Sequence, residues 1–294
     1  MPIINSVVAG GGTTPTGTLP ITNNGTYDVT NYATADVNVP TTAPALYREF
    51  EIDANGVLQP NTTTTHIMDF TGVKTIYDYA LAAAYMNNTN ISGAVDMSDL
   101  INVSAAYACY WAFYGCTGIT SAKLSSLTQV SGDHGCAAMF FDCSGITTIN
   151  ISSLTTVNGT SGCSSMFYGC SSATSVDISS LATISTTAGC ESMFRGCSGL
   201  TSVTLNALTN ITAQRTCERM FQGCTSLTSL SFPALTSTSF GSRTNQFNSM
   251  LLGVTGCTVH FPSNLQSVIG SWTSVSSGFD GTNTTVLFDL PATS

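Results

Sequence analysis

Positive charge is scarce in this sequence: seven Lys and Arg stand against sixteen Asp and Glu, for a formal net charge of -9 over 294 residues. A surface that binds a phosphate backbone needs clustered cations, so nucleic acid is not an expected partner. Charged residues of both signs make up only 8% of the chain, far below the roughly 25% of an ordinary soluble domain. Ser, Thr, Asn and Gly take their place. No apolar run approaches the ~18 residues that span a bilayer, and no membrane insertion is expected. The opening residues, MPIINSVVAGGG, lack the basic leader and apolar core of a signal peptide. A neutral polar surface without an export signal fits a phage particle, whose parts are made in the host cytoplasm and released by lysis. Histidine is also rare, with His66, His134 and His260 scattered along the chain. No second ligand pair stands at zinc spacing, so neither metal nor cofactor is expected.

Cysteine, in contrast, is plentiful and periodic. Cys109, Cys136, Cys163, Cys190 and Cys217 form one series, and Cys116, Cys143, Cys170, Cys197 and Cys224 a second, both stepping by 27 residues. Between them stand Ala112/Phe113, Met139/Phe140, Met166/Phe167, Met193/Phe194 and Met220/Phe221. An alternating pair follows in each copy (Ala122/Leu124, Ile149/Ile151, Val176/Ile178, Val203/Leu205, Leu230/Phe232), with the period of a strand buried on one face. Counting back 27 and 54 gives two further coils without thiols, where Ala82 and Thr89 take the cysteine positions; forward, Phe247 and Val254 take them. Eight strands are expected between about residues 66 and 262. Such a coil cannot bury its own apolar face, so the coils must stack. At about 4.8 Å per strand the ladder would be roughly 35 to 40 Å long.

The pattern C-x-x-M-F-x-G-C-x-x-L-x-x-V-x-L resembles the leucine-rich repeats of the BspA-like surface-antigen class, over roughly two thirds of the chain. The resemblance implies an α/β leucine-rich-repeat solenoid of about eight coils, with a parallel β ladder on one side and CxxMFxGC as a short helix on the other. Gly115, Gly169, Gly196 and Gly223 would then close those helices. Upstream, ITNNGTYDVTNYATADVNVP (residues 21–40) is similar to a segment that recurs in phage tail and other virion proteins. That similarity implies a virion-docking module; the alternative is a simple end cap.

These readings divide the chain into an N-terminal β segment (1–43), a β-hairpin cap (44–63), the solenoid (64–262) and a C-terminal cap (263–294). For the thiols, seven helical residues span about 10.5 Å, beyond the roughly 7 Å reach of a disulfide. Packed, reduced ladders are therefore favoured, with intercoil bridges and metal binding as the alternatives. GDHGC (132–136) brings Asp133, His134 and Cys136 close in sequence, but no other rung of the ladder has a histidine nearby. No catalytic residue is assigned. Binding candidates are Tyr114, Phe141 and Tyr168, at one outward phase, and Lys123, Asn150 and Asp177 on the outer strand face. The function expected is a non-enzymatic phage virion protein (tail tip, fibre or capsid decoration) that contacts the host. Its expected partners are other virion proteins and a host surface protein or glycan, and a homo-oligomer is expected. The alternative is a secreted, cell-surface BspA-like adhesin.

Overall fold

The computed structural model describes residues 27–28, 50–52, 57–60, 66–69, 74, 76, 81–82, 85–89, 91–236, 246–269 and 284–293. In chain order the strands are β1 (Tyr27–Asp28), β2 (Phe50–Ile52), β3 (Val57–Pro60), β4 (His66–Asp69), β5 (Ile91–Asp96), β6 (Asn102–Val103), β7 (Ile119–Lys123) and β8 (Gln129–Val130). They continue with β9 (Thr148–Asn150), β10 (Thr156–Val157), β11 (Ser175–Asp177), β12 (Thr183–Ile184), β13 (Ser202–Thr204), β14 (Ser229–Ser231), β15 (Thr258–Pro262) and β16 (Thr285–Leu290).

Strands β2 and β3 pair antiparallel, as expected for the hairpin, and β1 adds to β3. One small sheet thus joins residues from the first two segments; Val37 and Val39 lie outside the described residues. From β4 onward the chain is a parallel solenoid, and the eight expected strands are present at a 27-residue step. They form two runs, β4-β5-β7-β9-β11 and β13-β14-β15, the second extended by β16 as a ninth strand. The C-terminal strand therefore continues the ladder, with Val286 and Phe288 packed against the core. Between β11 and β13 the ladder is interrupted, and Val176 is only partly buried where Ile149 and Val203 are buried.

A second parallel ladder, β6-β8-β10-β12, runs along another wall and buries Val103, Val130, Val157 and Ile184. Sequence reasoning placed these residues in the repeat without assigning them a strand, because two-residue strands carry no visible alternation.

The third wall corrects the expectation of helices. In the coil around Cys163–Cys170, alternate amides close tight turns: Ser164 N donates to Ser161 O, Met166 N to Cys163 O, Tyr168 N to Ser165 O and Cys170 N to Phe167 O. The intervening amides of Cys163, Ser165, Phe167 and Gly169 donate to Gly189, Glu191, Met193 and Arg195 carbonyls of the next coil, at 2.7 to 2.9 Å. Every fourth residue is left-handed, with Ser161 at φ 53°, Ser165 at 55° and Gly169 at 72°. Among the described residues the sole α-helix is α1 (Gln266–Ile269). A helix would satisfy its amides within its own coil, whereas here half of them hold the next one. The burial pattern at 163, 166, 167 and 170 is i, i+3, i+4, i+7, which a 3.6-residue helix and a four-residue turn repeat share over eight residues. Gly169 and its counterparts supply positive φ at the third residue of a turn, and do not cap a helix.

The core is built of like side chains stacked on like. Tyr85, Phe113, Phe140, Phe167, Phe194 and Phe221 form one column with ring centroids 5.1 to 5.7 Å apart and planes within 10°. Each such pair contributes about 0.5 to 1.5 kcal/mol beyond its buried area. The first coil departs from the 27-residue count. A bulge between Gly93 and Ala94, with Gly93 at φ 87°, shifts the turn segment before it by one residue. Leu81 and Asn88 therefore take the cysteine places, while Thr89 is exposed; Ala82 is buried beside them.

The turn wall makes a prediction that a helix would reverse. Ser165→Gly should stabilise the protein by about 0.5 to 1 kcal/mol, because a left-handed L-residue costs about 1 to 2 kcal/mol. Chemical denaturation measures the difference, and a loss of stability would restore the helical reading.

Candidate functional site

All eleven cysteines are free and buried. In the second series each thiol donates back to a carbonyl of the preceding coil: Cys143 Sγ to Phe113 O at 2.9 Å, Cys170 to Phe140 O at 3.3 Å, Cys197 to Phe167 O and Cys224 to Phe194 O at 3.1 Å. The same carbonyls accept the backbone N–H of their own coil's cysteine. These thiols thus act as hydrogen-bond donors between coils. Because the segment is not helical, the 10.5 Å separation expected between the two cysteines of a coil does not apply; each series instead forms its own column. Burial raises the pKa of Cys116, Cys217 and Cys224 to about 12 and that of Cys257 to about 11. Such thiols stay protonated at neutral pH and are poor nucleophiles. Among the described residues no group of three His, Cys, Asp or Glu is placed to hold a metal ion.

Asp133, His134 and Cys136 do not converge. The Cys136 thiol is inside the core, while His134, left-handed at φ 56°, lies parallel to Tyr107 at 4.8 Å. Asp133 accepts the Thr160 amide of the next coil at 2.7 Å.

On the strand face the three candidates are outward but locally engaged. Lys123 pairs with Asp96 at 3.1 Å. Ser98, by its side-chain hydrogen bond, and then Lys123 hold the Asp96 carboxyl below its ordinary pKa against the opposing effect of burial. Asn150 accepts from the Ser152 amide and hydroxyl, and Asp177 likewise from Ser179. Asn150 and Asp177 fix the turn after the strand in this way.

The turn wall holds the densest group of side chains. Tyr114, Phe141 and Tyr168 are half-buried and stack in sequence, with centroids 4.9 and 4.2 Å apart and planes within 9°. Arg195, at the same phase one coil later, lies 5.3 Å from the Tyr168 ring centre. Tyr110 stacks on Trp111 at 4.7 Å, and Trp111 leans on Tyr114. Further along, Arg215 and Arg219 each pair with both Glu191 and Glu218, and Asn248 donates to Glu218. Sequence reasoning found the three stacked aromatics and missed Arg195, which one more step of 27 would have reached. It also missed Tyr107, Tyr110 and Trp111, which belong to this wall only because it is built of turns.

The sequence profile of the BspA type leucine rich repeat region matches in six copies, over residues 74–214 and 110–251. That is more than half of the chain, which belongs to this family. A crystal structure of a leucine-rich repeat protein from Bacteroides ovatus is similar over 73% of this chain and 82% of its own, at 14% identity and a TM-score of 0.19. Among curated proteins none matches this sequence.

Thiol burial sets an alkaline limit. The folded pKa values lie above the ordinary 9.0, so between pH 9 and about 12 the unfolded chain loses thiol protons that the folded chain keeps. The unfolded state then binds fewer protons, and stability is full below pH 9 and falls through this window. Denaturation midpoints measured from pH 7 to 11 should show the fall, and Cys217→Ala together with Cys224→Ala should make it shallower. An unchanged slope would show that these thiols ionise freely in the folded protein.

Proposed function

We propose that the chain is a non-enzymatic binding protein, displayed outside the cell, whose solenoid holds the aromatic turn wall toward a partner. The observation that carries this reading is the stack of Tyr114, Phe141 and Tyr168, with Trp111 and Tyr110 beside it, in a surface otherwise made of hydroxyls and amides. Grouped, half-exposed aromatics are the side chains that interfaces favour. Membership of the BspA type supports an extracellular or surface location. The neutral, buried thiols and the separation of His134 from Cys136 support a role without catalysis. The strand-face residues Lys123, Asn150 and Asp177 serve the scaffold in this reading.

Residues 21–40 favour a second reading, a virion component that meets other virion proteins, a host protein or a host glycan. Of that segment the structure describes only Tyr27–Asp28. Protease shaving of intact producing cells decides between the two. Surface display predicts release of turn-wall peptides without lysis; recovery of the chain only in purified phage particles would replace the first reading by the second.

The stack also has a measurable structural share. Changing Tyr114, Phe141 and Tyr168 together to Ser removes two stacked pairs and should cost about 1 to 3 kcal/mol, read by urea denaturation. The remaining core should keep the variant folded, so its loss of partner binding can be read separately.

A further inference from the structure

We infer that the partner of the turn wall is an acidic protein segment, whose carboxylate meets Arg195 while its apolar side chains cover the Tyr114–Phe141–Tyr168 stack; this rests on the binding role proposed above. Three features point to it. First, the rings spend their faces on one another, at 4.9 and 4.2 Å. A sugar presents C–H groups that are drawn to the electron-rich ring face, but this wall offers ring edges, the positive end of the aromatic quadrupole. Edges attract carboxylate and carbonyl oxygens. Second, Arg195 has no carboxylate within ion-pairing distance among the described residues, and its contact is the Tyr168 ring. In a chain with sixteen acidic and seven basic side chains, a guanidinium left without a carboxylate is a fork available to a partner. Third, Arg195, Arg215 and Arg219 lie on this one wall against only Glu191 and Glu218. The wall is locally positive by one charge on a protein of net charge -9.

The fit to protein rather than to an acidic glycan follows from the apolar edge. A polysaccharide carries carboxylates but no side chains that gain by covering Phe141. An acidic segment with Leu, Ile or Phe next to Asp or Glu supplies both, and Tyr, Trp and Arg are the residues in which interface binding energy concentrates.

The test is a displayed library of random 12-residue peptides, selected on the full-length chain, with oligogalacturonate as the glycan probe. The expected result is enrichment of peptides that place Asp or Glu beside an apolar residue. Their binding should weaken about tenfold in Arg195→Gln and further in Arg195→Glu, with salt reducing it in the parent protein. Thermal melting of both variants, expected to be close to the parent because Arg195 is partly exposed, keeps a folding defect from imitating the result. Peptides that lose binding in the Tyr114, Phe141 and Tyr168 triple variant but show no acidic preference and no dependence on Arg195 would overturn the inference and leave the binding wall standing. A selection with no wall-dependent peptide would remove both. Oligogalacturonate binding that depends on Arg195, without peptide binding, would replace the protein partner by an acidic glycan.

Discussion

Everything in this molecule depends on backbone amides that have no partner in their own coil. A coil of 27 residues cannot close a hydrophobic core or satisfy its own polar backbone, and unpaired buried amides are costly. The structure answers on three walls at once: a strand ladder, a second ladder of two-residue strands, and a run of turns in which alternate amides reach the next coil. Where the first ladder is interrupted between β11 and β13, the other two continue; Ser185 N still donates to Val157 O, and Phe167 N to Met193 O.

Stacking in register explains why the interior repeats so strictly. A residue placed directly over its counterpart must match it in size, so phenylalanine lies over phenylalanine and cysteine over cysteine. The second cysteine series adds a hydrogen bond that a purely apolar residue could not make, since its thiol gives the preceding coil's phenylalanine carbonyl a second donor. Where that series ends, Val254 keeps the place and its burial but no such donor. The outward phases carry no such demand. The column Tyr114, Phe141, Tyr168, Arg195, Gln222 changes chemistry from coil to coil, and this freedom allows a rigid scaffold to carry a binding surface.

The sequence by itself determined the period, the inward columns, the burial of the thiols and the strand count up to β15, because one-face burial repeated at a fixed step leaves an unambiguous pattern. It did not separate turns from helices, since over the eight residues from Cys163 to Cys170 both bury i, i+3, i+4 and i+7. The register of the first coil was also closed to counting: the bulge at Gly93 and Ala94 puts Asn88, not Thr89, in the cysteine place. Only the tertiary structure decided that Tyr114, Phe141 and Tyr168 spend their faces on each other and that Arg195 completes the row. Those facts depend on which way a side chain leaves a turn and what lies one coil away. Distances across coils are set by backbone hydrogen bonds between residues 27 apart, and a linear pattern records the spacing of such residues without the direction in which they point.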